Sequence, residues 1–494
     1  MRRERWIVAA SLAVSWCGCA APRDRPTRRP NIVFILADDH AAHAIGAYGS
    51  TVARTPHIDR LASEGLRFER AFCGNAICAP ARATLLTGSH SHMHGVVDNA
   101  ARFDGTQPTF PQALQRSGYQ TALVGKWHLK SEPTGFDHWE IFPDQGQYYD
   151  PELLSPTGKR RAQGYASEVI TDLALEWLET RSDEQPFLLC LQHKAPHRSW
   201  EPGPRELSLY ADETLPEPPT LFDDYATRAS GAAAQEMSIA GDLSEFDLKL
   251  GQPTPKSARA LAAWSAAYAA ENAALRAQPL EGDARTRWNY QRYLKDYLRC
   301  VAGVDASVGR VLDYLEREGL AEDTLVIYAS DQGFFLGEHG WYDKRWMYEE
   351  ALRFPLVMRW QGTIAAGTVD RHLVSGIDLA PTLCEVGGSA ALPGAQGLSL
   401  APILRGDALG EARDAIYYRY YEYPDPHRVE PHFGLRTERH KLLVFPRLGA
   451  SELFDLEADP RELHNLAGDP QYAELQARLR ARLASLQREL GDTP

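Results

Sequence analysis

The stretch NIVFILADDH, residues 31–40, is an apolar run that ends abruptly in two carboxylates, Asp38 and Asp39. Uninterrupted apolar strands separated by helical segments are typical of a buried parallel sheet with helices on both faces. Because ligands bind at the carboxyl ends of such strands, polar side chains that follow them are expected to meet at one edge. Three further stretches share the pattern: TALVGKWH (ending in Lys126 and His128), PFLLCLQHKAPH (ending in residues 193–197) and TLVIYASDQG (ending in Asp331 and Gln332).

Two amphipathic segments, TPHIDRLASEGLRF (residues 55–68) and VDASVGRVLDYLEREGL (304–320), predict helices that connect these strands. Residues 30–402 are therefore predicted to form one α/β domain, with a helical insertion over about 216–290. The stretches AIYYRYYEY, FGLRTERHKLLVF and SELFDLEADP predict short antiparallel strands, followed by a helix from about 470 to 490. We expect residues 403–494 to form a smaller C-terminal α+β subdomain.

Composition limits the function of the 494-residue chain. Its formal net charge of −13 argues against nucleic-acid binding, which requires an excess of Lys and Arg on one face. Residues 1–21 combine three arginines with a short apolar run, which predicts an export signal and a periplasmic or secreted protein. A lipid anchor at Cys19 is the alternative. No window is apolar for long enough to predict a transmembrane span.

The cysteines and histidines are the candidate zinc ligands of the sequence. Five cysteines follow the predicted signal, and their spacing contains no CxxC pair, so neither a disulfide scaffold nor a zinc ribbon is predicted. The stretch GSHSHMHG places His90, His92 and His94 at alternate positions, a spacing that suits a zinc-binding strand. Its Gly and Ser content favours a loop instead.

The strand ends predict a site for a hard cation. Asp38, Asp39, Asp331 and Gln332 offer only oxygen ligands, which favours Ca²⁺ or Mg²⁺ over zinc. Taken singly, each residue is better explained as a helix cap or a turn residue, but four acidic or amide groups at two strand ends together favour a metal site. The donors Lys126, His128, His197 and Lys344 follow in neighbouring stretches. A dication with Lys, His and Arg donors in an acidic protein is what a tetrahedral oxyanion requires.

The stretch NAICAPARATLLTG, residues 75–88, contains the pattern C-x-P-x-R-x-x-L-x-T-G. It resembles the signature of the type I sulfatases of the alkaline phosphatase superfamily. Further similar stretches cover nearly the whole chain, among them GYQTALVGKWHL, SDQGFFLGEHGWYDKRWMYEEALRFPLV and ELFDLEADPRELHNLA. The resemblance implies an alkaline phosphatase-like fold, with a large mixed, mostly parallel sheet, and a catalytic role for residues 30–402.

The resemblance also implies a mechanism. Cys78 would be oxidised to Cα-formylglycine (3-oxoalanine) by a formylglycine-generating enzyme that reads Pro80 and Arg82, and its hydrate would attack the sulfur of a sulfate ester. One Ca²⁺, with Mg²⁺ as the alternative, would be bound by Asp38, Asp39, Asp331, Gln332 and the modified residue 78. Arg82, Lys126, His128, His197 and Lys344 would surround the aldehyde and the sulfate. Family analogy favours His197 over His128 as the acid for the leaving alcohol.

The substrate follows from the same resemblance. Residues 95–114 and 420–445 are most similar to the N-acetylglucosamine-6-sulfatase and mucin-desulfating branch, which implies removal of a 6-O-sulfate from a glucosamine-type sugar. His427, His432 and Arg436 are the candidate sugar contacts. Trp341 and Trp346 flank Lys344 and are open to either sugar stacking or core packing.

Other functions remain compatible with the sequence. Within the family, uronate and galactose sulfates are alternative substrates. A phosphoester or phosphonate hydrolase on the same fold needs a similar site, and the relative turnover of aryl sulfate and aryl phosphate separates the two. A different class altogether is an exported glycan-binding protein with an unmodified Cys78.

Overall fold

The computed structural model describes residues 29–251 and 257–492, so the predicted export signal and Cys19 lie outside the described residues. We number the eighteen strands in chain order. They are β1 Asn31–Ala37, β2 Leu66–Phe68, β3 Ala71–Phe72, β4 Gln120–Lys126, β5 His138–Phe142, β6 Glu152–Ser155, β7 Gly158–Arg161, β8 Phe187–Gln192, β9 Thr324–Ser330, β10 Phe335–Leu336, β11 Tyr342–Asp343, β12 Leu356–Arg359, β13 Thr368–Asp370, β14 Val374–Ser375, β15 Ala415–Tyr420, β16 His432–Thr437, β17 His440–Phe445 and β18 Ala450–Asp455.

Twelve α-helices occur in the described ranges, besides short 3₁₀ turns. They are α1 Pro56–Ser63, α2 Cys78–Thr87, α3 Ser91–His94, α4 Phe110–Arg116, α5 Ala166–Thr180, α6 Gly231–Ala234, α7 Ala258–Ala277, α8 Gly282–Arg317, α9 Glu349–Leu352, α10 Leu379–Val386, α11 Ala401–Arg405 and α12 Ala473–Leu490. None of these described helices has the length and apolar character needed to cross a membrane.

Ten strands form the main sheet, in the order β13-β2-β12-β9-β1-β8-β4-β5-β6-β7. The four strands predicted from their shared pattern are its adjacent central members, β9, β1, β8 and β4, and all four pair in parallel. Strand β12 and the outer strands β6 and β7 are antiparallel to their neighbours. The prediction of a large mixed, mostly parallel sheet is confirmed.

The sheet separates two hydrophobic cores. Alternate residues of β1 point to opposite faces, so Ile32, Phe34 and Leu36 join one core while Val33 and Ile35 join the other. Helices α2, α4 and α10 cover the first face, and α1, α5 and α8 cover the second. Burial on both faces explains why these strands are apolar without interruption.

The C-terminal subdomain is a four-stranded antiparallel sheet, in the order β15-β16-β17-β18, with α12 packed on one face. Leu479, Leu483 and Leu486 of α12 lie one helical turn apart and pack against Leu435 and Leu453 of the sheet. The opposite face of the sheet joins the first core of the main domain. The predicted smaller α+β subdomain is therefore confirmed as part of the fold and is fixed to the main sheet.

Two local predictions need correction. Helix α8 is 36 residues long and passes through residue 290 without a break, so the helical insertion has no boundary there. Its apolar face toward the second core continues across that position, with Tyr290, Tyr293 and Tyr297 all buried. The stretch that contains His90, His92 and His94 is not simply a loop, because Ser91–His94 forms the short helix α3.

Candidate active site

Cys78 is the first residue of α2, and this position explains its neighbours in the sequence. Pro80 lies in the first helical turn, where its missing N–H leaves no hydrogen bond unmade. Arg82 follows Cys78 by four residues, so both side chains lie on the same face of the helix. Both are buried, with exposed fractions of 0% and 2%. The C-x-P-x-R spacing thus aims a sulfur atom and a guanidinium at one place.

Three carboxylates meet beside Cys78, at the carboxyl ends of β1 and β9. Oxygen atoms of Asp38, Asp39 and Asp331 lie within 4.8 Å of one another, and all three residues are at most 1% exposed. A second set of atoms, from Asp38, Cys78 and His197, fits within the same distance. We call Asp38, Asp39, Asp331, Gln332 and Cys78 the edge cluster.

Three buried cations face the edge cluster. Arg82 donates to Asp331 (Nε to Oδ2, 3.1 Å), Lys126 donates to Asp38, and Lys344 donates to Asp39 (Nζ to Oδ2, 2.6 Å). A second Arg82 nitrogen donates to the Lys126 carbonyl at 2.7 Å, which ties the end of β4 to α2. Each buried charge therefore has an opposite charge at hydrogen-bond distance, as burial requires.

The charges around the three carboxylates shift their pKa values in different directions. Burial raises the pKa of Asp39 to about 6, against the opposing charge of Lys344. Burial and the neighbouring Asp38 carboxylate hold the pKa of Asp331 well above its ordinary value. Burial also acts on Asp38, but the charges of Lys126 and Arg82 outweigh it and keep the pKa of this carboxyl well below the usual range. The protein's own cations thus outweigh burial at Asp38 but not at Asp39 and Asp331.

The edge cluster also contains polar atoms without partners. Asp38 Oδ1 and Gln332 Oε1 are buried and have no hydrogen-bond partner in the described parts of the chain. Such atoms are rare in folded proteins because leaving them unsatisfied costs on the order of 1–3 kcal/mol each. The oxygen donors of Asp38, Asp39, Asp331 and Gln332, with two atoms unpartnered and with the pKa values of Asp39 and Asp331 raised, fit a hard divalent cation.

Two predicted histidines border the edge cluster. The His197 ring donates from Nδ1 to the Arg198 carbonyl (2.7 Å), so in the neutral ring the unprotonated Nε2 faces Asp39 Oδ2 at 3.8 Å. His128 Nε2 lies 3.5 Å from Asp144 Oδ1. Burial and the Lys126 charge lower the pKa of both rings, that of His128 to about 2. Both imidazoles are therefore neutral when no substrate is bound.

The backbone at the site adopts an uncommon conformation. Asp39, His128, Asp343 and Arg345 all have positive φ, at 70°, 56°, 75° and 88°. Residues with a Cβ pay for this conformation, and such residues concentrate at functional sites. Each of the four residues follows or ends a strand that leads into the edge cluster. The strained backbone therefore lies where the chain turns at the edge cluster.

Sequence analysis missed three buried charged residues at this site. Lys194 is 7% exposed, and its pKa is lowered to about 8 by burial and by Lys126. Asp343 and Arg345 flank Lys344 and pair with each other at 3.3 Å. Lys194 lies in the HKAPH stretch that follows β8. The strand-end rule that indicates His197 therefore indicates Lys194 as well. Asp343 and Arg345 do not follow a long apolar run in the sequence, so the strand-end rule does not indicate them.

The structure separates the three candidate sugar contacts. His427 Nε2 lies 3.5 Å from Asp343 Oδ2, next to the site. His432 is 1% exposed, and its two ring nitrogens bond the Glu430 carbonyl and the Met347 N–H, so it braces the subdomain and cannot contact a sugar. Arg436 makes two 3.2 Å bonds to Glu349 and is likewise a brace.

Trp341 and Trp346 belong to the core. They are 1% and 0% exposed and stack on each other at a centroid distance of 5.4 Å. Of the two roles left open for them, core packing is the one that the structure supports.

His90, His92 and His94, which we call the histidine cluster, form no zinc site in the described residues. His94 bonds Thr84 Oγ1 through Nε2 and accepts the Val96 N–H at Nδ1, both at 3.1 Å. His92 bonds the Leu490 carbonyl at 2.9 Å. These rings connect α2, α3 and the C-terminal helix.

Comparison with known proteins agrees with this geometry. The family model named Sulfatase matches residues 30–389, and the model named N-sulphoglucosamine sulphohydrolase, C-terminal, matches residues 337–489. The chain is 43% identical to an N-acetylglucosamine-6-O-sulfatase of Bacteroides thetaiotaomicron, over 97% of this chain and 90% of that protein. It is 27% identical to the human N-acetylglucosamine-6-sulfatase, over 77% of this chain and 65% of that protein.

A solved structure extends the likeness to three dimensions. The structure of BT4656 in complex with its substrate D-glucosamine-2-N,6-O-disulfate superposes with a TM-score of 0.93 at 42% identity, and the match covers 94% of this chain and 99% of that one. The family match spans the described main sheet and the whole edge cluster. The chain therefore belongs to the sulfatase family and is a sulfuric ester hydrolase.

Proposed function

We propose that this enzyme removes the 6-O-sulfate of a glucosamine-type sugar, such as N-acetylglucosamine 6-sulfate, through a formylglycine made from Cys78. The observation that carries the proposal is the convergence of Cys78, at the start of α2, with three carboxylates and three buried cations. The names of the similar proteins supply the sugar and the sulfate position.

The state of Cys78 supports the need for modification. Burial raises the pKa of its thiol, and the neighbouring Asp38 charge raises it further, so the thiol is a poor nucleophile at neutral pH. When formed, the hydrated aldehyde supplies one hydroxyl that attacks sulfur and a second that lets sulfate depart. Modification requires the maturing enzyme to act before folding, because residue 78 is fully buried in the folded chain.

We assign the edge cluster as the site of one Ca²⁺. Asp38, Asp39, Asp331 and Gln332 would bind it together with the modified residue 78. The oxygen-only donor set and the orphaned atoms of Asp38 and Gln332 support this assignment. A bound dication would lower the pKa of the attacking hydroxyl and offset the negative charge of the sulfate.

The chain's own donors have separate tasks in this scheme. Lys126 and Lys344 hold their ammonium groups beside the cluster, where sulfate oxygens would accept hydrogen bonds from them. His197 is the better acid for the leaving alcohol, because its Nε2 faces the cluster while Nδ1 is anchored on the Arg198 carbonyl. The negative charge of a bound sulfate ester would raise the pKa of this ring from its low value. His128 would then act on the hydroxyls of residue 78.

His427 remains the candidate sugar contact. Its Nε2 is held toward Asp343, next to Lys344, while Nδ1 donates to the Glu236 carbonyl at 2.7 Å. We add Asp343 and Arg345 to the residues proposed to line the sugar site, since both flank Lys344 in sequence, they pair with each other, and Asp343 faces His427.

Export of the enzyme, with residues 1–21 as the signal and Cys19 as an alternative lipid anchor, is part of the same proposal. The three arginines and the short apolar run at the N-terminus support export. Measuring the mass of the mature N-terminus after expression in the native host tests this directly.

The test of function begins with the mass of the peptide that contains residue 78, from protein purified out of its native host. A loss of about 18 Da relative to cysteine is expected for conversion of the thiol to an aldehyde. The same preparation is then assayed for release of inorganic sulfate from N-acetylglucosamine 6-sulfate. Galactose 6-sulfate and a uronate 2-sulfate serve as matched competitors, and an aryl phosphate serves as the phosphoester control.

Each outcome has a definite meaning. Modified protein that prefers N-acetylglucosamine 6-sulfate supports the whole proposal. A preference for galactose or uronate sulfate overturns the assigned sugar, and turnover by protein with an intact thiol overturns the aldehyde mechanism.

A further inference from the structure

A cavity of about 770 Å³ adjoins the active site on the side of His128. Its walls come from the segment after β4, from β5 and from the hairpin of β6 and β7. His128 lines this cavity and lies two residues after Lys126, whose ammonium group donates to Asp38. The cavity therefore adjoins the catalytic centre at His128.

The floor of the cavity is aromatic. Trp127 and Trp139 line it together with the apolar residues Ile141, Phe142 and Leu154. Trp127 is 3% exposed and is held edge-on by Phe136 at 6.3 Å, whereas Trp139 is only partly buried. Flat aromatic surfaces that are fixed from behind suit the apolar face of a sugar ring.

Several polar groups of the cavity lack protein partners. Trp127 Nε1, His128 Nδ1 and Ser131 Oγ are buried, and none has a hydrogen-bond partner in residues 29–251 and 257–492. A buried indole N–H without an acceptor is costly, and a bound polar molecule removes that cost. Sugar hydroxyls both donate and accept, so they match such a mixed set.

The rim carries positive charge. Arg102, Lys130 and Lys159 line the cavity, and the first two are exposed side chains without an acidic partner in the described ranges. Lys159 pairs with Glu152, and the acids Glu132 and Asp144 also line the cavity. The lining thus holds three basic residues against two acidic ones, although the chain as a whole has a net charge of −13. This local excess of basic residues favours an anionic occupant.

We propose that this cavity is a subsite for a second, anionic sugar, the neighbour of the glucosamine-type sugar whose sulfate is removed. Trp139 would stack on its ring, and Lys130 and Arg102 would bind its carboxylate or sulfate. The inference rests on the proposed function, and it implies that the enzyme recognises a glycan of at least two sugars rather than a single sulfated monosaccharide.

The experiment compares three substrates: N-acetylglucosamine 6-sulfate alone, the same sugar linked to a uronic acid, and the same sugar linked to the neutral sugar galactose. The protein is full-length enzyme whose residue 78 has been shown to be modified. Lys130→Ala and Trp139→Ala test the subsite. Trp177→Ala is the matched control, because Trp177 is also partly buried but packs on Phe187 at the opposite ends of the strands.

We expect Trp139→Ala to lower kcat/KM by about tenfold for both linked substrates, consistent with loss of one aromatic contact. Lys130→Ala should lower kcat/KM by about threefold to tenfold for the uronate-linked substrate only. Neither variant should change kcat/KM for the monosaccharide by more than about twofold, and Trp177→Ala should leave all substrate ratios unchanged.

Equal losses on all three substrates, or no loss on any, would overturn the subsite. Because Lys130 is exposed, its variant tests the charge without risk to folding even where Trp139→Ala lowers stability. Failure of the modified wild-type enzyme on all three substrates would overturn the proposed function, and the subsite with it. Wild-type turnover of all three with unchanged variant ratios would overturn the subsite alone.

Discussion

The edge cluster and the histidine cluster both gather side chains that bind metals in other proteins, but they use them differently. The edge cluster draws its members from β1, β9 and the start of α2, and it leaves oxygen atoms of Asp38 and Gln332 without partners. The histidine cluster comes from one short segment, and His94 uses both ring nitrogens on Thr84 and Val96. The difference indicates that the convergence of several ligand atoms within 4.8 Å of one another, rather than residue type, distinguishes a candidate metal site from a structural brace.

The pKa values separate the two clusters in the same way. Burial raises the pKa values of Asp39 and Asp331, so protons or a cation are favoured at the edge cluster. Burial lowers the pKa values of His90 and His94 to about 3, so these rings remain neutral at any ordinary pH. The first cluster attracts positive charge, and the second excludes it.

The largest expected effect concerns catalysis. Cys78→Ala removes the side chain from which the nucleophile is made, and we expect sulfate release to fall by at least about 10⁴-fold. His94→Gln, in the other cluster, should keep activity within a few-fold of wild type. The assay is the rate of sulfate release from N-acetylglucosamine 6-sulfate, with circular dichroism to verify folding. Appreciable activity of Cys78→Ala would contradict the assignment of residue 78.

The next effect concerns the cation. Ca²⁺ added to cation-free wild-type protein should raise Tm, because binding to the folded state alone contributes about 2.7 kcal/mol at 100 times the Kd. Asp331→Asn removes one charged ligand and should lose most of that rise. His92→Ala is the matched control and should keep it. Differential scanning calorimetry with and without Ca²⁺ makes the measurement, and an equal rise in all three proteins would place the cation elsewhere.

Much of the main domain was predictable because burial on both faces of a parallel sheet requires continuous apolar strands. That pattern identified the four central strands, and the strand-end rule brought Asp38, Lys126 and Asp331 to one edge. The C-x-P-x-R motif identified Cys78 and Arg82 as neighbours. These predictions succeeded because each depends only on residues that are close together in the sequence.

The failures share a physical cause as well. His432 and Arg436 lie on a strand whose face toward the main domain is buried, and only the packing of the subdomain shows which face that is. Asp343 and Arg345 reach the site through two positive φ values around Lys344, which no residue pattern predicts. The cavity lined by Trp139 depends on four separate segments, so only the assembled fold reveals it.

The smallest expected effect is a pH dependence that belongs to the histidine cluster. Below pH 6.5 the unfolded chain binds a proton at His94, whereas the folded ring, with its pKa lowered to about 3 mainly by burial, does not. Folding stability therefore falls as the pH falls from about 6.5 toward 3, and at pH 5.5 the cost is on the order of 1 kcal/mol for this one ring. His94→Gln cannot take up this proton in either state.

The difference in Tm between pH 7.5 and pH 5.5, measured at saturating Ca²⁺, should be smaller for His94→Gln than for wild type. His464→Gln replaces an exposed histidine and should follow wild type. If both variants show the wild-type difference, His94 is protonated in the folded protein, and the contrast between a cluster that excludes positive charge and one that attracts it does not hold.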